Sequence, residues 1–445
     1  MRLIKYTFKG FSLFKDHALS LDLYASSRVV DEVSHATRRM TGIGSAVCSQ
    51  TVVAIAGLNA TGKTTVLRAT ALAGDIIRGN DIVLNSPLYM PLIPLVDDSG
   101  LDFQAIFEDQ GEWWLLESHL DIIHRGAGMD GTGEGDETVA VDFTREQLHR
   151  HRDRHLVKNE LADPKVFKRH SDIYATRNVG GDRELDDRVK KFLSRDRSLT
   201  FGFDFGPLPI LAYLDMLRNR YLIPDVDPSV MGVFDSSVER LDVDTDGQAH
   251  LKFVGESEEH VLPQAQASLM LSVGTTRGAR IIRTALDALV GGGIMIVDEL
   301  ENSLNKKLVE AIVDLFKAPR TNPHGAVLVF STHYPELLNS LERIDGIYFT
   351  TRQGPGNGVL VTKYSDIEAR PDLSRADVFL SGKCRGTAPS GRAIESMFRY
   401  VTQYVADKGD PRGAGSNCRS PPPICCTARG LRSALPWRFC WMPDC

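Results

Sequence analysis

Apolar and polar residues alternate along Leu3–Phe8 and Ala18–Tyr24, a period of two that predicts strands with one buried face. The pattern changes at Thr51–Ala56, where Thr-Val-Val-Ala-Ile-Ala has no polar alternation. That β-branched run predicts a strand buried on both faces. Residues 26–50 are polar and rich in Gly and Ser, and read as a loop. Val66–Ala73 reads as a helix. Leu101–Phe107 and Glu112–Glu117 are strand-like and flank Asp109-Gln110-Gly111, a hairpin-turn signal. Residues 125–139 are Gly/Asp-rich and read as a flexible excursion. The spacing over 207–222 predicts an amphipathic helix. Two later apolar runs, at Ile294–Val297 and Ala326–Phe330, predict further buried strands. There is no internal repeat and no sustained heptad, which excludes a long coiled-coil arm.

The segment between the first buried strand and its helix carries the clearest chemistry. Gly57-Leu-Asn-Ala-Thr-Gly-Lys-Thr-Thr65 fits the phosphate-loop pattern G-x-x-x-x-G-K-[ST] in the strand–loop–helix context it needs. Backbone N–H groups of such a loop and the following helix N-terminus make a concave anion site. Gly57, Asn59, Gly62, Lys63, Thr64 and Thr65 are therefore the candidate ATP-binding residues. Lys63 is placed on the β- and γ-phosphates, and Thr64 on Mg²⁺.

Three later motifs complete an ATPase. Gly291–Glu299 is an apolar strand ending in two carboxylates. Asp298 is the expected Mg²⁺ ligand with Thr64, and Glu299 the expected base for the attacking water. Leu271-Ser272-Val273-Gly274 matches the Leu-Ser-x-Gly signature of ABC-type ATPases. Ser272 and Gly274 at a helix N-terminus would bind the γ-phosphate of ATP held by another subunit. Ser331-Thr332-His333 ends a buried strand and places His333 as a catalytic switch histidine. Glu301–Leu304 takes the place of a loop crossing the dimer interface. A glutamine contacting the metal is less evident; Gln104 is the candidate.

Composition bounds the rest. The chain has 445 residues, a net charge of −6 and 25% charged residues, so it has no global pull toward nucleic acid or anionic membrane. No apolar run has the length of a membrane span, and Met1–Phe8 lacks the apolar core of a signal peptide. A cytoplasmic location and no membrane partner are expected. Residues 145–197 carry 15 Lys/Arg against 10 Asp/Glu. A solvated helical face is the favoured reading of that block, and a nucleic-acid contact the alternative. His149, His151, His155 and His170 are not spaced as ligands on one helix face, and receive no ligand role. Five of the seven cysteines crowd the last 28 residues with Pro421-Pro-Pro423, a composition read as disordered or non-native.

With these motifs in order, the chain resembles the ABC-type AAA ATPases of the OLD and abortive-infection group, including AbiL- and PARIS-like subunits of anti-phage systems. Phe8-Lys-Gly-Phe-Ser-Leu-Phe-Lys-Asp16 is similar to the group's N-terminal motif, except that Ser12 stands where the group has arginine. Leu271–Arg277, Asp298–Leu304, Ser331–His333 and Leu380–Pro389 are similar to its later motifs. The resemblance implies an α/β fold of P-loop NTPase type with an ABC/SMC-like head. It also implies a mixed sheet, an antiparallel β subdomain and a helical charged insertion. The expected organisation is an N-terminal ATPase lobe over 1–124, the insertion over 125–262, a C-terminal lobe over 263–408, and the tail over 409–445. About 95 residues follow Tyr348, too few for the group's Toprim nuclease domain.

The implied function is a slow, regulatory ATPase that uses ATP and Mg²⁺. It would work as a homodimer or higher homo-oligomer sandwiching ATP, as the sensor subunit of an abortive-infection defence acting on a separate nuclease or toxin. The alternative is an SMC-like DNA-binding or repair ATPase using the 145–197 block. A transporter subunit or a hidden nuclease has less support.

Overall fold

The buried apolar runs assemble one six-stranded sheet in the order Ile210–Tyr213, Ile294–Val297, Val327–Thr332, Val52–Gly57, Ile347–Arg352, Val359–Lys363. The first five strands are parallel and the last is antiparallel. Every residue of Val52–Gly57, Ile294–Val297 and Val327–Thr332 is buried, as expected of strands covered on both faces. Register decides where the chemistry falls. Val297 pairs with Phe330, Phe330 with Ala54 and Thr332 with Ala56. Gly57, Asp298 and His333 therefore leave the sheet together at its carboxyl edge, where ligands bind in open α/β sheets. The computed structural model describes residues 1–27, 29, 36–39, 47–125, 138–178, 193–213, 224, 226–352, 357–367, 373–380 and 391–409.

A second, antiparallel six-stranded sheet runs in the order Ala18–Asp22, Arg2–Lys9, Leu101–Asp109, Glu112–Arg125, Thr138–His151, Ser171–Arg177. Helix Lys63–Arg78 lies between the two sheets, with 12 of its 16 residues buried. Its Val66, Leu67 and Ile76 share one core with Tyr6 and Phe8 of one sheet and Ile55 and Ile296 of the other. The Tyr6 hydroxyl is 2.8 Å from Thr70 Oγ1, so this contact buries no unpaired polar atom. On the far face of the parallel sheet, helices Val273–Gly291 and Lys306–Lys317 enclose a second core. A small sheet of Val238–Val243, Gln248–Phe253 and His260–Pro263 packs into that core.

Several expectations hold. The hairpin turns at Gln110 and Gly111, both with positive φ, and the Leu3–Phe8 and Ala18–Tyr24 strands pair with each other except at the end of the second. Others are corrected. The helix expected over 207–222 is replaced, where described, by strand Ile210–Tyr213 at the edge of the main sheet. The loop expected over 26–50 contains the short strand pair Thr37–Arg39 and Cys48–Gln50. Among the described residues, the charged insertion expected as helical over 125–262 holds more strand than helix and falls in one contact unit with the rest of Met1–Ala388. Its segments complete both main sheets, because 14-residue Thr138–His151 pairs along nearly its whole length with Glu112–Arg125. The excursion at 126–137, the tail from 410 onward and Gly382–Pro389 lie outside the described residues.

The basic block is matched with acids. Arg150 pairs with Glu112, Lys168 with Glu117 at 2.7 Å, Arg152 with Asp172 at 3.0 Å and Arg177 with buried Glu146 at 3.1 Å. Its excess of positive charge in sequence is thus partly neutralised in space; 179–192 lies outside the described residues. Burial alone would raise the pKa of Glu117. Hydrogen bonds from His149, Lys168 and Gln104 outweigh it and hold the carboxyl at about 2. A depressed carboxylate stabilises the fold above its unfolded pKa, and that contribution is lost as pH falls toward about 2. Glu117→Gln is therefore expected to cost up to about 3 kcal/mol at neutral pH, the gap from wild type closing between about pH 4.5 and 2. Urea unfolding across that range measures it.

The contacts divide the chain into two units, Met1–Ala388 and Pro389–Cys445. Within the second, helix Gly391–Gly409 carries exposed Met397, Phe398, Tyr400, Val401 and Tyr404.

Candidate functional site

The phosphate loop leaves the central strand at Gly57 and re-enters regular structure at Lys63. Gly62 caps the helix with a left-handed backbone, φ 83°, that disfavours a side chain. Ala60 is also left-handed, φ 61°, and such alternation turns successive N–H groups toward one concavity. Asn59 and Ala60 form the exposed tip, and Thr65 lies half-buried in the first helical turn. Lys63 folds back over the loop, its Nζ donating to the carbonyls of Gly57 and Leu58, both at 2.9 Å. Burial lowers its pKa, and the nearby carboxylates of Glu299, Asp298 and Glu301 oppose that shift. An ammonium held by two carbonyls beside three acids is a cation placed for an anionic ligand.

The acidic half of the site is built around Ser331, to which the sequence motifs assign no role. Thr64 Oγ1 donates to Asp298 Oδ2 at 2.7 Å, and Ser331 Oγ donates to Asp298 Oδ1 at 2.5 Å. Ser331 Oγ also accepts the Glu299 backbone N–H at 2.7 Å. One fully buried hydroxyl thus sets both carboxylate residues, because its strand lies between the other two. Thr64 and Asp298 present hard oxygen donors at hydrogen-bond distance, a set that fits Mg²⁺. Glu299 has a left-handed backbone, φ 47°, uncommon for a residue with a side chain. Its carboxylate accepts no hydrogen bond among the described residues, so it is free to face a ligand.

Arg277 was noted only as part of a motif. It is buried, and its Nη2 donates to the carbonyls of Asp298 at 3.0 Å and Glu299 at 2.7 Å. The helix bearing the Leu-Ser-x-Gly segment therefore holds the carboxylate turn directly. Ser272 caps that helix, accepting from the Thr275 N–H at 3.0 Å, and its hydrogen bonds all stay within the first turn. Gly274 packs against the Glu301–Leu304 turn, and a Cβ there would sit 2.5 Å from the Ser303 carbonyl oxygen. Alanine in a helix ordinarily stabilises by about 1 kcal/mol over glycine. At Gly274 the contact with rigid backbone is expected to reverse that sign, to a loss of about 1 kcal/mol or more. Thermal unfolding of Gly274→Ala reads the sign.

His333 is part-exposed at the end of its strand. Its backbone N–H donates to Glu301 Oε1 at 2.7 Å, and its Nδ1 lies 3.1 Å from the same oxygen without hydrogen-bond alignment. Glu301 Oε2 is buried and has no hydrogen-bond partner among the described residues. Glu301, expected to cross an interface, instead points inward and holds His333, while Asn302 and Ser303 are exposed. Gln104 sits in the antiparallel sheet and donates to Glu117 at 2.8 Å. It hydrogen-bonds the sheet, and no hydrogen bond ties it to the phosphate loop. Ser12 donates to the Leu95 carbonyl at 3.0 Å.

Residues 141–339 match the family model described as "AAA domain, putative AbiEii toxin, Type IV TA system". The match covers a little under half of the chain, including Ser272, Asp298, Glu299 and His333 but not the phosphate loop. A search of curated proteins finds no match. The matched model and the loop both point to a P-loop ATPase domain, and the fold is α/β with mixed sheets. Such a domain implies binding of a nucleotide and usually of Mg²⁺. Among the described residues no helix is long and apolar enough to cross a membrane.

Proposed function

We propose that this chain hydrolyses ATP in a composite site formed by two copies, and that the cycle regulates a separate toxic effector in an anti-phage defence. The observation that carries the reading is the hydrogen-bonded chain Thr64–Asp298–Ser331–Glu299, which joins phosphate loop and carboxylates into one unit. Lys63 would leave the loop carbonyls for the β- and γ-phosphates, charge replacing dipole. Mg²⁺, held by Thr64 and Asp298, supplies neutralisation of phosphate charge. Glu299 would take the proton of the attacking water, and His333, steadied by Glu301, would contact the γ-phosphate. The left-handed Glu299 backbone, pinned by Ser331 and Arg277, holds that base in place without help from the substrate.

Two features favour a second copy. Ser272 is exposed on a helix N-terminus that binds nothing of its own phosphate loop, and Leu269, Met270 and Val273 beside it are exposed apolar residues. Charge pairing within 145–178 weakens the DNA-binding alternative. The defence role rests on the matched family and on the resemblance of the motifs.

Mixing two inactive variants tests the composite site. Ser272→Asp keeps a good helix cap but opposes a phosphate. Lys63→Ala keeps Ser272 but loses its own loop. A composite site predicts that the mixture recovers about a quarter of wild-type turnover, from one intact site in each mixed dimer. A mixture no more active than its parts would mean that each chain hydrolyses ATP alone. Turnover stimulated by DNA would return the repair reading.

A further inference from the structure

Far from the phosphate loop in sequence, the ends of two paired strands meet a short helix. His151 ends strand Thr138–His151, and His170 directly precedes Ser171–Arg177. The Arg152 N–H donates to the His170 carbonyl at 2.9 Å, so strand pairing itself brings the two histidines together. Glu160 of helix Lys158–Ala162 points between them. Its Oε1 is 2.7 Å from His170 Nδ1 and 3.3 Å from His151 Nε2. Ligand atoms of all three lie within 4.8 Å of one another, the one such group among the described residues.

We infer that His151, Glu160 and His170 form a binding site for a borderline divalent metal ion of the Zn²⁺ type. The setting of His151 is the first argument. Its side chain is fully buried, and the Asp153 backbone meets its Nδ1 twice, through the carbonyl at 2.8 Å and through the N–H, which donates to it at 3.2 Å. Those contacts fix the ring and leave Nε2, 3.3 Å from Glu160 Oε1, as the nitrogen that faces the carboxylate. A ring nitrogen oriented by a backbone carbonyl is also how metal-bound histidines are held.

Glu160 is the second argument. Its Oε2 is occupied by the Val157 N–H at 2.9 Å, which leaves Oε1 as the ligand atom facing both imidazoles. Two imidazole nitrogens and one carboxylate oxygen suit Zn²⁺ and not Mg²⁺, so the site would not compete for the metal of the nucleotide. The metal would take the place of any proton between His170 Nδ1 and Glu160 Oε1, which would leave to solvent. Phe167, with its ring 5.0 Å from that of His151, walls one side, while half-exposed His170 leaves the fourth position open to water. Such an ion would clasp the start, middle and end of the 151–170 excursion to the edge of the antiparallel sheet. The three ligands come from two strand ends and a helix, so helix-face spacing gives no hint of them, and the expectation that these histidines bind no metal is revised.

The test uses the full chain, stripped with chelator and titrated with Zn²⁺ alone by calorimetry, without nucleotide. Wild type is expected to bind Zn²⁺ at this site and to unfold on the order of 5 °C higher with the metal present in excess. His170→Gln, at a half-exposed position, and Glu160→Gln should each weaken binding at this site about tenfold or more with unchanged circular dichroism. Co²⁺ in place of Zn²⁺ should show visible d–d absorption that both variants lose. Binding equal in wild type and His170→Gln would overturn the assignment. So would a Co²⁺ spectrum made only of thiolate charge transfer, which would place the metal on cysteine, or the absence of bound metal in wild type.

Discussion

Lys63→Ala is expected to lower ATP turnover by about 10²–10³-fold, the usual loss when one preorganised charge on a transition state is removed. Its effect on stability should be small. In this structure the ammonium is buried and, among the described residues, bonded only to the Gly57 and Leu58 carbonyls, and burial already disfavours its charged form. Removing it forfeits two hydrogen bonds but also relieves a desolvated charge, so the two terms largely offset each other. The variant should therefore keep the wild-type melting temperature without ligand but lose the rise that ATP with Mg²⁺ gives. A large loss of stability in the ligand-free protein would show instead that Lys63 is structural. Differential scanning fluorimetry with and without nucleotide, alongside phosphate release, separates the two.

Glu299→Gln should leave ATP binding intact and slow hydrolysis by about 10²–10⁴-fold, the range for a lost general base. Glutamine keeps the shape of glutamate and the same left-handed backbone, so the bonds from Ser331 and Arg277 to the main chain survive. Only proton acceptance is lost. A chain that binds but does not turn over should accumulate in its ATP-bound assembly. Light scattering should then show a stable dimer with ATP and Mg²⁺ that is absent without nucleotide. Retention of wild-type turnover would remove Glu299 from the mechanism. Slow turnover without assembly would keep the base and remove the sandwich.

Much of the candidate site's placement in the fold was legible in the chain because its motifs are local. Gly57–Thr64 needs a strand before it and a helix after it, and both are marked by composition within a few residues. The same holds for Asp298 and Glu299 after an apolar strand and for His333 after another. What sequence reading missed are groups whose role depends on neighbours distant in the chain. Ser331 acts on Asp298 and Glu299 across a strand pairing, and Arg277 reaches their carbonyls from a helix. Glu301 opens the segment expected to cross a dimer interface, yet its side chain is buried under His333.

The central region shows the opposite limit. A dense run of charge over 145–197 suggested a helical insertion, because local pattern cannot tell a solvated helix from a long strand whose charges are paired across a sheet. Pairing of Thr138–His151 with Glu112–Arg125 on one side placed it in the sheet, and pairing with Ser171–Arg177 on the other brought His151 and His170 together beside Glu160. Periodicity and motif spacing were enough to place the strands, loop and helix of the candidate phosphate site, since each is specified by contacts within about ten residues. Which acids neutralise the basic run, which hydroxyl positions the carboxylates and which histidines meet were decided only by strand order and register, because those contacts join residues tens to hundreds of positions apart.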